Sequence, residues 1–149
     1  MITQLRHVGV VVKDLEKSLH FYKDLLGFKV RKEMEEECPY IDTVLGLKNV
    51  RLKTVKLMPP PGGGGVELLY YHSPDSPQRS PCAIHERAIT HFALTIEGLD
   101  QEYERLLKQG VKFISPPQIA SDGGSKVAFC QDPDGNYIEL TEELRKQKA

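Results

Sequence analysis

A pattern that occurs twice constrains this sequence more than any other feature. Residues 6–12 read RHVGVVV and residues 90–96 read THFALTI, so each is a short apolar stretch with a histidine at its second position. Each is followed by an amphipathic helical pattern and, further along, by an apolar stretch with one glutamate, VELL at 66–69 and IEL at 138–140. A polar residue that recurs at the same place in a repeated apolar pattern indicates two modules with one architecture.

The spacing of corresponding residues supports this repeat. His91 lies 84 residues after His7, and Leu99, at the start of the second helical pattern, also lies 84 residues after Leu15. The two glutamates are only 72 residues apart, because the first half has a longer middle that includes the Pro- and Gly-rich segment 59–65. Such a segment cannot hold regular structure and is typical of a hairpin tip. Each half therefore predicts the order strand, helix, strand, strand, strand.

We expect an α+β fold made of two βαβββ modules, over residues of about 5–72 and 89–142. The stretch between them is rich in proline and serine, as a linker is. One amphipathic helix covers one face of a small sheet, so two modules packed side by side would leave a concave face inside. The expected fold is a single domain over residues 1–149 that forms a curved, incomplete eight-stranded barrel.

The four repeated polar residues are the candidate functional site. His7, Glu67, His91 and Glu139 each alternate with an apolar row in a strand pattern, so all four are predicted to point into the concave interior. A single histidine or glutamate of this kind is usually structural, but two matching sets in the same order favour a shared role. Two carboxylates brought together out of water are costly unless a cation lies between them. The set therefore predicts one divalent metal ion, with zinc, nickel or cobalt favoured over manganese or iron.

The composition excludes several classes of function. Lys and Arg number 20 and Asp and Glu 21, so the net charge of −1 favours neither a nucleic acid nor a membrane partner. Long apolar runs and a secretion signal are absent from the sequence. Cys38, Cys82 and Cys130 lack the CxxC spacing of a zinc knuckle and are odd in number. We expect a cytoplasmic protein with reduced thiols, a small-molecule substrate, and a homodimeric assembly.

The chain also resembles a known family, the vicinal oxygen chelate superfamily of glyoxalases, bleomycin-resistance proteins and dioxygenases. The resemblance covers nearly the whole chain. It rests on HVGVVV at 7–12, Asp14-Leu15, Phe21-Tyr22, GVEL at 65–68, HFA at 91–93, DPDGN at 132–136 and IEL at 138–140. The family fold is a pair of βαβββ modules, which agrees with the fold expected from the patterns above.

Within the superfamily, the order His, Glu, His, Glu resembles bacterial-type glyoxalase I. Methylmalonyl-CoA epimerase is a near neighbour, although it usually has Gln where this chain has Glu67, and the segment GGSKVAF at 123–129 is similar to it. Ring-cleaving dioxygenases of the family use two His and one Glu around iron. Antibiotic-sequestering members lack a full metal set. The alternatives therefore remain an epimerase-like isomerase, an iron-dependent dioxygenase, and a non-catalytic small-molecule binder.

The resemblance implies a metal-dependent lyase or isomerase of the glyoxalase I (lactoylglutathione lyase) type. Such an enzyme abstracts a proton next to a carbonyl, and the metal stabilises the resulting enolate. By resemblance, Glu139 is the first candidate for the catalytic base and Glu67 the second, while His7 and His91 hold the metal. The identity of the substrate, and whether glutathione or coenzyme A takes part, does not follow from the sequence.

Overall fold

The chain divides into two compact units, Met1–Arg79 and Ser80–Ala149. The computed structural model describes residues 1–37, 39–78, 80 and 82–144, so Cys38 lies outside the described residues. One expected module falls in each unit, and the predicted α+β class is confirmed by a mixed sheet with at least one helix in each. Within the described residues, every helix is too short or too polar to span a lipid bilayer.

The first unit contains a four-stranded sheet in the order β1-β4-β3-β2. Strands β1 and β4 pair in parallel, and the other neighbours pair antiparallel. Its elements in chain order are β1 (His7–Val11), α1 (Leu15–Leu19, continuing as a π-helix over His20–Leu25), β2 (Lys29–Glu36), α2 (Pro39–Leu45), β3 (Arg51–Met58) and β4 (Gly65–Ser73). The sequence of residues 40–47 is compatible with either a turn or a short helix, and the structure has the helix α2 there.

Helix α1 lies on the apolar face of this sheet. The side chain of Asp14 caps it by accepting a hydrogen bond from the Lys17 amide at 3.1 Å. Its C-terminal part widens, with the amide of residue 26 bonded to the carbonyl five residues earlier. The amphipathic pattern predicted a helix here but not its wider second part. The wider turns bury two successive aromatic rings, Phe21 and Tyr22, whose centroids are 5.0 Å apart.

The second unit repeats this plan with different details. Its sheet has the order β5-β9-β8-β6, with β7 beside β8, and β5 pairs with β9 in parallel. Its elements are β5 (His91–Thr95), α3 (Leu99–Lys108), β6 (Lys112–Phe113), β7 (Gln118–Ile119), β8 (Ser125–Gln131) and β9 (Tyr137–Glu143). Strand β7 was not predicted, because it has only two residues and directly follows a Pro-Pro pair, which disfavours regular structure.

Two carboxylates fasten the ends of β9. Asp132, buried in the turn before the strand, accepts hydrogen bonds from the amides of Asp134 and Asn136 at 3.0 and 2.9 Å. Glu142, near the end of the strand, accepts hydrogen bonds from the amides of Gly98 and Leu99 at 2.8 and 3.2 Å. Gly98 has no side chain with which to cap helix α3, so a glutamate 44 residues away caps it instead.

Removal of this distant cap should destabilise the protein. Glu142→Ala leaves two amides at the helix N-terminus without their acceptor and should lower the free energy of unfolding by about 1–2 kcal/mol, measured by urea denaturation. The matched control is Glu143→Ala, an exposed position on the same strand, which should change stability by less than about 0.5 kcal/mol. Equal losses in the two variants would contradict the capping role.

The two described cysteines differ in environment. Cys130 is fully buried in β8, and this burial, together with the nearby charge of Asp132, raises the pKa of its thiol to about 12. Cys82 is only half-buried, and its thiol lies 2.8 Å from the carboxylate of Glu86. One thiol is therefore shielded by the core of the second unit, and the other is partly open to water.

Alkylation should therefore discriminate between the two thiols. With a pKa of about 12, only ~0.01% of the Cys130 thiol is ionised at pH 8, and the thiolate is the reactive form. In the native protein, iodoacetamide should modify Cys82 and leave Cys130 unmodified, as read by peptide mass spectrometry. Unfolding in guanidinium should make both react. Rapid modification of Cys130 in the folded protein would show that the thiol is accessible.

Candidate metal centre

The first His–Glu pair is built by the parallel pairing of β1 with β4. Gly9 lies directly opposite Glu67, and His7 is two residues before Gly9 on the same strand. Residues two apart on a strand share a face, so the imidazole and the carboxylate project to the same side of the sheet. The Nε2 atom of His7 lies 3.1 Å from Oε2 of Glu67.

The second pair has the same construction in the other unit. Ala93 lies opposite Glu139 in the parallel pairing of β5 with β9, and His91 is two residues before Ala93. Its Nε2 atom lies 3.2 Å from Oε2 of Glu139. The repeat that the sequence indicated is thus reproduced in the strand register and in the side-chain contact.

The distances within each pair fit two ligands of one metal ion. Nitrogen and oxygen ligands bind zinc at ~2.0–2.2 Å, which places neighbouring donors ~3 Å apart. The separations of 3.1 and 3.2 Å match this spacing. The carboxylate side chains are 14% exposed in Glu67 and 23% in Glu139, so each is partly removed from water. The described residues contain no group of three or more His, Cys, Asp or Glu able to hold a metal ion, so each unit by itself supplies two donors.

The structure thus brings each predicted histidine to its predicted glutamate. His7 meets Glu67 in the first unit, and His91 meets Glu139 in the second. That all four bind one ion remains a prediction. The signal that found them was the repeated order in the sequence together with the period-two alternation of the strands.

The carboxylates of the two pairs have different second contacts. In the first unit, the other oxygen of Glu67 lies 3.2 Å from the ammonium group of Lys56. In the second, the other oxygen of Glu139 accepts a hydrogen bond from the hydroxyl of Thr141 at 2.9 Å. Sequence reasoning missed both contacts. The alternation of β9 places Thr141 on the face of Glu139, but the contact of Lys56 depends on the register between β3 and β4.

The position that corresponds to Lys56 is occupied by an aromatic ring in the second unit. Lys56 lies opposite Glu67 across the antiparallel pairing of β3 and β4, and Phe129 lies opposite Glu139 across that of β8 and β9. The ring of Phe129 packs edge-to-face on His91, with 5.1 Å between the centroids. One histidine–glutamate pair therefore has a cation beside it and the other has an apolar surface.

An apolar cluster adjoins the first pair. Leu69 and Tyr71 follow Glu67 at alternate positions of β4 and so share its face. They pack against buried residues from α2, the loop after it and β3, namely Ile41, Val50 and Leu52. Apolar side chains beside a polar pair strengthen its electrostatic interactions, because they exclude water from one side.

Comparison with known proteins identifies the family. The model of the Glyoxalase/Bleomycin resistance protein/Dioxygenase superfamily matches residues 4–140. A lactoylglutathione lyase of Salmonella typhimurium is 28% identical over 140 residues, which are 93% of this chain and 92% of that protein. A glyoxalase family protein from Bacillus cereus has the same fold, with a TM-score of 0.87 at 20% identity over 97% of each chain.

A solved glyoxalase I from Leishmania major, described as trypanothione-dependent, also has this fold. Its TM-score is 0.65 at 26% identity, with 95% of this chain and 88% of that chain covered. The family match extends over both units and includes all four residues of the two His–Glu pairs. The protein is a member of the Glyoxalase/Bleomycin resistance protein/Dioxygenase superfamily.

Proposed function

We propose that the protein is a metal-dependent lyase or isomerase of the glyoxalase I type, acting on a small molecule with a proton next to a carbonyl group. The observation that carries this proposal is the pair of His–Glu contacts at 3.1 and 3.2 Å, built by the same register in both units. The 28% identity with a lactoylglutathione lyase over nearly the full length of both chains supports this type of reaction.

We propose that His7, Glu67, His91 and Glu139 together hold one divalent ion, with zinc, nickel or cobalt favoured. Two nitrogen and two carboxylate donors suit these metals and leave positions for substrate oxygen atoms or water. When bound, the ion polarises the carbonyl of the substrate and lowers the free energy of the negative charge that develops on its oxygen. The imidazoles of His7 and His91 stay in place and fix the orientation of the site.

In this proposal the glutamates move the proton. Glu139 accepts it from the carbon next to the carbonyl and returns it to the neighbouring carbon, whereas in an epimerase Glu67 delivers a proton to the opposite face of the same carbon. Its second oxygen contacts the neutral hydroxyl of Thr141, whereas that of Glu67 contacts the ammonium group of Lys56. A contact between two charged groups is stronger than one with a neutral hydroxyl, so Glu139 is the carboxylate more easily released to accept a proton.

An epimerase of acyl-CoA thioesters is the second candidate. The segment 123–129, which carried the resemblance to methylmalonyl-CoA epimerase, includes most of β8, the strand that pairs with the strand of Glu139. Both reactions need the same proton abstraction, so the four residues serve either.

We further propose a cytoplasmic homodimer, for which sedimentation should give twice the mass of the chain.

Metal binding is the first test of the proposal. The protein should bind about one zinc, nickel or cobalt ion per chain, which is one ion for its two His–Glu pairs together. Elemental analysis by inductively coupled plasma mass spectrometry measures this ratio. His7→Ala and His91→Ala should each weaken binding at least about 100-fold, because one of the four donors to the ion is lost. His20→Ala is the matched control, since this histidine is exposed on a helix and contacts Asp24.

The other outcomes of this test identify the alternatives. Unchanged metal content in both histidine variants would show that the four residues do not form the metal site. Uptake of iron together with oxygen consumption on catechols would favour a dioxygenase. Failure to take up any metal, in any preparation or on soaking, would favour a non-catalytic binder.

Turnover tests the assignment of the base. Glu139→Gln keeps an oxygen donor but removes the proton acceptor, so metal content should remain near that of the original protein while turnover falls about 10²–10⁴-fold. The assays are the methylglyoxal–glutathione adduct for the lyase and methylmalonyl-CoA for the epimerase. Glu143→Gln, an exposed change of the same kind on the same strand, should leave the rate unaltered. A Glu139→Gln protein with full activity would disprove the role.

A further inference from the structure

Lys56 is an unexpected neighbour for a metal ligand. Its ammonium group lies 3.2 Å from Glu67, and its side chain is 36% exposed. A positive charge at this distance repels a metal ion that Glu67 would bind, so it opposes metal binding. The fold does not require it, because Phe129 occupies the corresponding position beside Glu139. The stability of the His7–Glu67 pair therefore does not explain why a lysine occupies position 56.

A second lysine lies directly beside the first. Lys32 of β2 is the cross-strand partner of Lys56 in the antiparallel pairing of β2 and β3, so both side chains project from the face of Glu67. Like charges placed directly opposite each other destabilise a sheet. In the part of the chain that the structure describes, Lys32 has no carboxylate within ion-pair distance. Two neighbouring cations thus share the face that carries the His7–Glu67 pair.

On the opposite face of the same strands, the positive charge of the lysine is balanced by carboxylates. Lys53, three residues before Lys56, projects from the other side of β3 and contacts Glu33 at 3.1 Å and Glu35 at 3.4 Å. These two carboxylates raise the pKa of Lys53. The sheet therefore pairs its lysine with acids on one face and places two lysines together on the other.

From this arrangement we infer that Lys56 and Lys32 bind a negatively charged group of the substrate, a carboxylate or a phosphate, beside the His7–Glu67 pair. The inference rests on the proposed function for the identity of the reaction. When Glu67 serves as a metal ligand, its charge is shared with the ion, and Lys56 loses part of its counterion. An anion held between the two ammonium groups replaces that counterion and offsets the repulsion between the lysines.

The sheet geometry limits the size of the substrate. Glu67, Lys56 and Lys32 lie in one row across three adjacent strands. Strands are ~4.8 Å apart, so the row places the backbone of Lys32 ~10 Å from that of Glu67. The charged group therefore lies within ~5–10 Å of the atoms held at the histidine–glutamate pair. The substrate class is an anionic carbonyl compound, or an anionic thiol conjugate of one, with a short link between its charge and its carbonyl.

Calorimetric binding of inert probes tests this site without turnover. The protein loaded with zinc is titrated with S-hexylglutathione, which carries carboxylates, with coenzyme A, which carries phosphates, and with the diethyl ester of S-hexylglutathione, which lacks both carboxylates. We expect one anionic probe to bind and the ester to bind much more weakly. The probe that binds distinguishes a carboxylate from a phosphate. Added salt should weaken this binding, because it screens the lysines.

Lysine variants then assign the binding to the two residues. Lys56→Met and Lys32→Met keep most of the apolar stem and lose the charge, so each should raise the Kd of the anionic probe about tenfold. Lys56→Arg should keep the affinity within a few-fold. Lys53→Met, on the balanced face, is the matched control and should leave the Kd unchanged. Circular dichroism and zinc content of each variant confirm that fold and metal are retained.

The results separate this inference from the proposed function. If neither anionic probe binds, or if Lys56→Met and Lys32→Met bind it as tightly as the unaltered protein, the anion site is wrong. A protein that is active on the lyase or epimerase substrate, but whose KM does not change in these variants, would also contradict the anion site. Lysine-dependent probe binding in a protein inactive on both substrates would leave the anion site standing and remove these two substrates from the proposed function.

Discussion

The parallel pairing of the first and last strands of each unit is the constraint on which the site depends. It places a histidine two residues before the position opposite a glutamate, so the two side chains meet on one face. A parallel pair needs a crossover, and the helix after the first strand supplies it. That helix covers the other face, which leaves the histidine and the glutamate accessible. A slip of one residue in the register would send the glutamate to the helix side.

Much of this could be predicted from the sequence, because it depends on local patterns. The period-two alternation gave the strands and the faces, and the repeated order gave the two pairs. What the sequence did not provide depends on contacts between distant residues. The contact of Lys56 with Glu67 needs the register of β3 against β4, and the cap of α3 comes from Glu142, 44 residues away. Strand β7 has two residues, too few for any periodicity.

The two units share a backbone plan and differ in what surrounds it. Helix α2 and its apolar cluster occur between the second and third strands of the first unit, and the corresponding part of the second unit holds β7. A lysine adjoins one carboxylate, and an aromatic ring and a hydroxyl adjoin the other. Repetition therefore accounts for the shared histidine–glutamate geometry, and the divergence supplies different chemical surroundings to its two copies.

Strand β9 is fastened before and after Glu139, by the buried turn at Asp132 and by the bonds of Glu142 to the start of α3. A segment tied at both ends has little freedom to slide or tilt, and the carboxylate that it carries keeps one position relative to its own sheet. The position of Glu139 is thus a property of the sheet and its two anchored ends, and it does not depend on the conformation of a free loop.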